Sequence, residues 1–251
     1  MKYQKLFFEF ICGCAFLFSI QGCYPYYAFG NGGVEPIVFV KPVYADSSRV
    51  TTYIGGKYTH SVDSAFGHRN ESNYFGQIYW SQTQTERNYN FSYGVFGYLG
   101  SYRVVEVPLF QGNKPYYGGG LSGEISINTP FRNFDLRFAG LKGTLYYENG
   151  EFSRFRRMAS EQVLITGVNS SLFAYNLSYT IGGDFNLKRQ NSLGFAASYG
   201  ITYPINEEDA FFTSSLNLHY TNNQVTTFIQ YTDCLFAMGG EFALGFNFRI
   251  K

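Results

Sequence analysis

The chain has 251 residues, 19 Lys and Arg against 18 Asp and Glu, and a net charge of +1. Charged residues make up only 15% and aromatic residues 20%, where an ordinary soluble chain is about one-quarter charged. The balance excludes an electrostatic case for nucleic acid, and beyond the N-terminal segment no run approaches the ~18 apolar residues of a membrane-spanning helix.

The N-terminus reads as a targeting segment. Lys2 and Lys5 form a short basic region, and Leu6 to Ile20 is an apolar run broken only by Glu9 and the small Cys12-Gly13-Cys14 stretch. This predicts a signal peptide over residues 1–22. It ends in Ile20-Gln21-Gly22-Cys23, which resembles a bacterial lipobox. That resemblance implies lipidation of Cys23, which becomes the mature N-terminus; Gln21 departs from the usual small or hydroxylated residue. A plain signal peptide with an incidental Cys is the alternative, and Cys14 is a rival lipid site. With Cys12 and Cys14 removed and Cys23 lipidated, Cys234 is the remaining thiol, so no internal disulfide is expected.

Residues 23–48 read as a lipidated connector. Tyr24-Pro25-Tyr26-Tyr27 and Gly30-Asn31-Gly32-Gly33 are turn-rich. Pro36 and Pro42 bracket the apolar run Ile37 to Lys41, which therefore cannot be a central strand. An edge strand, a lumen-filling segment and a tether beneath a barrel are the readings left.

Residues 49–251 alternate. Strands are predicted over Val50 to Tyr58, Asn73 to Thr83, Tyr89 to Ser101, Tyr116 to Asn128, Asn133 to Tyr147, Ser171 to Asp184, Ser192 to Tyr203, Phe212 to Tyr220, Val225 to Thr232 and Leu235 to Lys251. On the last, Phe242, Leu244, Phe246, Phe248 and Ile250 share one face, and Glu241, Ala243, Gly245, Asn247 and Arg249 the other. A soluble sandwich would put more charge on its solvated face; large apolar residues opposite small uncharged ones suit a barrel with lipid outside. The connections alternate long and short from the first to the sixth, as in porin-like barrels, although the seventh and ninth are shorter than the pattern asks. The expected fold is all-β: an antiparallel up-and-down transmembrane β-barrel of about ten strands, with eight and twelve as bounds. Twelve would require Val104 to Leu109 and Val163 to Val168 to pair as well. An even count puts both ends of the barrel in the periplasm.

Residues with possible chemistry are few. Glu124, Asp135, Arg137, Glu241 and Arg249 are predicted to face inward, as a structural charge network if paired or as ion-selecting groups if not. His60-Ser61, with Asp63 nearby, offers the residue types of a rim hydrolase without any surrounding motif. His219 beside Asn217 reads as a hydrogen-bonded wall residue. Scattered histidines give no metal spacing, and no phosphate loop or dinucleotide fingerprint occurs, so neither cofactor nor metal is expected. Arg154, Phe155, Arg156, Arg157 and Met158 lie in the fifth connection, where a solvated loop is favoured over contact with lipopolysaccharide phosphates or a protein partner. Aromatic pairs such as Tyr116-Tyr117 and Tyr146-Tyr147 fit interfacial girdles.

From Val50 onward the chain resembles the broad class of small Gram-negative outer-membrane β-barrels. Phe246, Phe248 and Ile250 resemble the C-terminal aromatic signal of such barrels, with Lys251 in place of the customary terminal Phe. The Tyr-rich composition with a lipobox looks like proteins of Bacteroidetes. The resemblance implies an outer-membrane lipoprotein anchored on the periplasmic side. The expected role is a non-enzymatic scaffold or accessory subunit, with outer-membrane lipids and other outer-membrane proteins as partners. A narrow porin, a lipid-modifying barrel enzyme and a soluble β-sandwich lipoprotein are the alternatives.

Overall fold

The computed structural model describes residues 37–40, 49–62, 71–86, 88–105, 107–131, 133–162, 168–187, 191–205, 210–234 and 239–250. The alternating segments form ten strands. They are β1 Arg49–Val62, β2 Ser72–Thr85, β3 Tyr89–Val104, β4 Gly112–Pro130, β5 Phe134–Gly150, β6 Phe173–Asn186, β7 Asn191–Pro204, β8 Phe211–Asn222, β9 Val225–Cys234 and β10 Gly239–Arg249. Each pairs antiparallel with its chain neighbours, and β1 pairs with β10, so the sheet closes as an up-and-down barrel. Closure leaves no free edge and satisfies the backbone internally, which spanning a bilayer requires.

The side-chain pattern runs opposite to that of a water-soluble core. Ile78 and Leu99 point outward and are 74% and 73% exposed, and Phe246 and Phe248 are 52% and 45% exposed. Among the described residues no second sheet covers them, and the single sheet closes on itself, so the sandwich reading is excluded. Inside lie Thr51, Lys57, Gln77, Ser92, Lys142, Gln230 and Asn247, all buried.

The ladders are longer than the alternation alone suggested. β4 begins at Gly112 rather than Tyr116, with Pro115 inside it. Proline is tolerated there because the β4–β5 ladder starts only at Tyr116↔Gly150; Pro115 pairs with β3 alone, at Ser101. The barrel closes with ten strands; of the segments that twelve would need, residues 106 and 163–167 lie outside the described residues. Val104 ends β3, Pro108–Phe110 is a single 3-10 turn, and Val168 makes only an isolated bridge.

Connections at one end are short: residues 86–88, 131–133, 187–190 and 223–224. The connections at the other end are longer on the whole. The longest contains a helix, α1, Glu151–Glu161, where the sequence pointed to a solvated loop. Gly150 makes the turn from β5 into α1 with φ 125°. A Cβ there would stand 2.7 Å from Pro115 O and Tyr116 Cα, so glycine is required on both counts. Glu151 then sits in the first turn, where it complements the helix dipole. Phe152, Phe155, Arg156 and Ala159 recur at helical spacing and are buried, whereas Arg154 and Arg157 are exposed.

Candidate functional site: the occupied lumen

Two pieces of the chain's own backbone occupy the barrel interior. The first is Ile37–Val40, all four residues buried. Lys142 Nζ donates a hydrogen bond to Ile37 O at 2.6 Å, and Asn247 Nδ2 donates one to Val38 O at 3.3 Å. Alternate side chains go to different walls. Ile37 and Phe39 join a core cluster with Tyr79 and Phe96, whereas Val38 and Val40 pack with Tyr53 and Phe228. Lys142 also stands 5.1 Å from the centre of the Phe39 ring. Of the three readings of this connector, the structure realises the lumen-filling one. Cys23 and residues 1–36 lie outside the described residues, as do Asp63 and His68.

The second is α1, which packs against β3, β4 and β5 at the long-connection end. Phe152 stacks on Tyr102 with ring centres 4.4 Å apart and tilts against Tyr116 at 5.9 Å. Arg156 is fully buried, as is its partner Glu148 on β5. Arg156 Nη2 meets Glu148 Oε1 at 2.8 Å, and Arg156 Nη1 donates to Asn169 O at 2.6 Å and Ser171 O at 3.3 Å. Ser153 Oγ donates to the same Glu148 oxygen at 3.1 Å. A buried ion pair holds only when its geometry is good and further hydrogen bonds support the groups; here two carbonyls accept from Arg156 and a hydroxyl donates to Glu148. Around it, Tyr116 Oη donates to Asn73 Oδ1 at 2.7 Å, Tyr102 Oη donates to Glu71 at 2.8 Å, and Tyr146 Oη donates to Thr202 at 3.2 Å.

The five predicted inward charges are dispersed rather than gathered. Glu124 and Arg137 pair at 3.1 Å. Asp135 is buried beside Asp184 in the β5–β6 register. Glu241 is buried near the mouth and accepts from Asn73 Nδ2 at 3.4 Å. Arg249 is at the opposite end, donating to Asn223 Oδ1 in a short turn at 2.9 Å. Sequence reasoning missed Lys57, Lys142, Glu148, Asp184 and Arg156. Strand parity alone places Lys57, Lys142 and Glu148 inward. Arg156 carried no such signal, because helical spacing with an Arg on the inner face does not read as an apolar stripe.

His60 and Ser61 face opposite sides of the wall. His60 is exposed on the outside, and Ser61 is buried inside, with its hydroxyl on the backbone of Asn73. Neighbours along a strand alternate faces, so these two cannot act as a base and nucleophile on one substrate. His219 is a hydrogen-bonded wall residue. Its Nε2 lies 2.8 Å from Asp184 Oδ1 and its Nδ1 3.1 Å from Asn217 Oδ1. Among the described residues no group of His, Cys, Asp and Glu has metal-binding geometry.

No protein-family model matches the chain, and no curated protein matches it in sequence. Solved structures show partial similarity at low identity. The β-domain of the Bordetella autotransporter BrkA is 10% identical, with 80% of this chain and 99% of that one covered and a TM-score of 0.44. An outer-membrane channel from Pseudomonas putida F1 is 10% identical over 84% and 100% of the two chains, with a TM-score of 0.45. The outer-membrane protein OprG of Pseudomonas aeruginosa is 10% identical over 84% and 99%, with a TM-score of 0.38. Such likeness concerns fold and says nothing of activity. The closed antiparallel wall, its apolar exterior and its polar, occupied interior make this chain a ten-stranded β-barrel of the outer-membrane type.

Proposed function

We propose that the protein is an outer-membrane β-barrel lipoprotein, anchored through Cys23 on the periplasmic side, that serves as a non-enzymatic scaffold or accessory subunit of an outer-membrane complex. The observation that carries this reading is the occupied lumen. Ile37–Val40 lies buried inside the barrel and α1 packs on the wall at the long-connection end, which leaves the outer wall and the exposed connections as the surfaces offered to a partner. The separation of His60 from Ser61 supports a role without catalysis. Signal-peptide removal before Cys23 and acylation of its thiol supply the anchor.

Isolation of the tagged protein from native outer membranes in gentle detergent, followed by mass spectrometry, tests the scaffold role. A stoichiometric outer-membrane partner is expected. A protein recovered alone, with stepwise conductance in planar bilayers, overturns the proposal in favour of a narrow channel.

A further inference from the structure

The outer wall is unevenly covered with side chains. Tyr58, Gly76, Leu99 and Tyr117 form one row across β1 to β4, and Gly56, Ile78, Gly97 and Gly119 form the next row toward the short turns. The glycines leave a hollow of about 850 Å³ on the outside of the barrel, walled by Ile78, Leu99, Leu244 and Phe246, within the ~300–1,000 Å³ of small-molecule sites. A Cβ at Gly76 would meet nothing within 4 Å, and one at Gly97 only Gly118 O at 3.7 Å. Glycine weakens a strand, and no neighbour in the chain requires it at either place. What it provides there is the hollow, which the close approach of another molecule needs.

A cation stands above the hollow, toward the long connections. Arg103 lies on the same outer face of β3 as Gly97 and Leu99, is exposed, and has no carboxylate partner among the described residues. It is six residues beyond Gly97, or about 20 Å along a strand. At the ~45° tilt of a membrane-spanning strand this is about 14 Å along the membrane normal, close to half of the ~30 Å hydrocarbon core. Gly97 is at the middle of β3, so Arg103 falls at head-group level when the hollow is at mid-membrane. His60 on β1 is exposed on the same side, one row nearer the hollow. A second hollow of about 570 Å³, at Gly123 and Gly143, has no such cap. Among the described residues, β4 to β6 present Tyr117, Tyr147, Asn149 and Phe173 on the outer face above it, and no charge.

The two features match the two halves of an anionic lipid. The hollow takes an acyl chain, whose methylenes gain contacts on three sides that a smooth wall would not give. A guanidinium presents a planar fork of donors that fits a phosphate bidentately. A partner barrel fits less well. Ile78 and Leu99, 74% and 73% exposed, project beside the hollow and would hold a second stiff wall off its floor, whereas a flexible chain lies between them. We propose that the β1–β4 sector of the outer wall holds one phosphate-bearing membrane lipid, with its acyl chain in the Gly76–Gly97 hollow and its phosphate on Arg103. The site needs the wall to stand in a membrane and is independent of the scaffold role.

Native mass spectrometry of the purified full chain in a neutral detergent tests this, with dipalmitoyl phosphatidic acid, the matching dipalmitoylglycerol and inorganic phosphate as probes. Folding of each variant is checked by the heat-dependent shift in gel mobility. One retained phosphatidic acid per chain is expected, with the diacylglycerol held about tenfold more weakly and no displacement by inorganic phosphate at equal concentration. Arg103→Gln should weaken retention about tenfold. Gly76→Leu, which fills the hollow from a position where a Cβ meets nothing, should abolish it. Gly143→Leu, in the second hollow, should leave it unchanged. Equal retention of the diacylglycerol, displacement by inorganic phosphate, retention that survives Arg103→Gln or Gly76→Leu, or an equal loss in Gly143→Leu overturns the proposal. So does a photo-crosslinker in place of Leu99 that captures a protein rather than lipid in native membranes, which assigns the hollow to a protein partner.

Discussion

Replacing Glu148 with Gln should release α1 from the barrel mouth while leaving the barrel closed. Glu148 and Arg156 are both fully buried, so solvent does not screen their interaction. Removing one partner of such a pair strands the other charge and costs ~3–5 kcal/mol. The variant Gln keeps an oxygen for Ser153 and Arg156, so the lower end, about 3 kcal/mol, applies. Helix docking rests on this pair and on burial of Phe152 and Phe155, each worth roughly 1.5–3 kcal/mol. A loss of about 3 kcal/mol raises the undocked population about a hundredfold without exceeding what the strand ladders supply. Hydrogen exchange of the α1 amides reads this directly: exchange should quicken about a hundredfold in Glu148→Gln, with β7 to β9 unchanged. The double variant Glu148→Leu/Arg156→Met, which replaces the pair with apolar bulk, should return close to the parent rate. An acceleration of Glu148→Gln below about threefold, or one shared equally by β7 to β9, refutes the assignment of the pair as the latch of α1.

Three further outcomes follow from the geometry. Leu99→Arg places a charge on the outer wall, where Leu99 is 73% exposed, and should lower stability in lipid by about 2–4 kcal/mol in urea titrations of vesicle-refolded protein; a neutral result would argue that this face is not in hydrocarbon. Gly94→Leu should expel the 37–40 segment, because even a Cβ at Gly94 would lie 2.8 Å from Ile37 Cδ1 and 2.5 Å from Trp80 O. Protease sensitivity between residues 36 and 48 should then rise while the barrel's gel-mobility shift persists. Cys23→Ala should abolish incorporation of labelled palmitate in cells, and continued labelling would move the acylation to another cysteine.

Much of the wall was legible in the sequence because side-chain alternation in a barrel is a local property. Leu193, Phe195 and Tyr199 share one face of β7, and Gly194, Ala196 and Ser198 the other, as the period of two requires. Contents of the lumen were harder to read. Whether Glu124 meets Arg137 or Lys142 depends on the stagger between β4 and β5 and on the bulge between Arg137 and Gly140, which shifts the β5–β6 register. Neither is written in the pattern of a single strand. α1 was missed for a related reason. Its inner face, Phe152, Phe155, Arg156 and Ala159, is apolar only once Glu148 neutralises the arginine, and Glu148 lies on the preceding strand.

The two lumen segments are part of the folded barrel rather than later additions to a channel. Lys142 is 1% exposed and Arg156 0% exposed. A cation so deeply buried is tolerated only where acceptors meet it. Carbonyls of the segments or of the long connection do so here: Ile37 O for Lys142, Asn169 O and Ser171 O for Arg156. The apolar inner residues Tyr79, Phe96, Tyr102 and Phe211 point the same way. A water-filled channel would hydrate them, whereas here they are buried against Ile37, Phe39, Phe152 and Phe155 or their neighbours in the same cluster. The wall therefore encodes its own occupants, with apolar inner residues gathered where the two described segments pack.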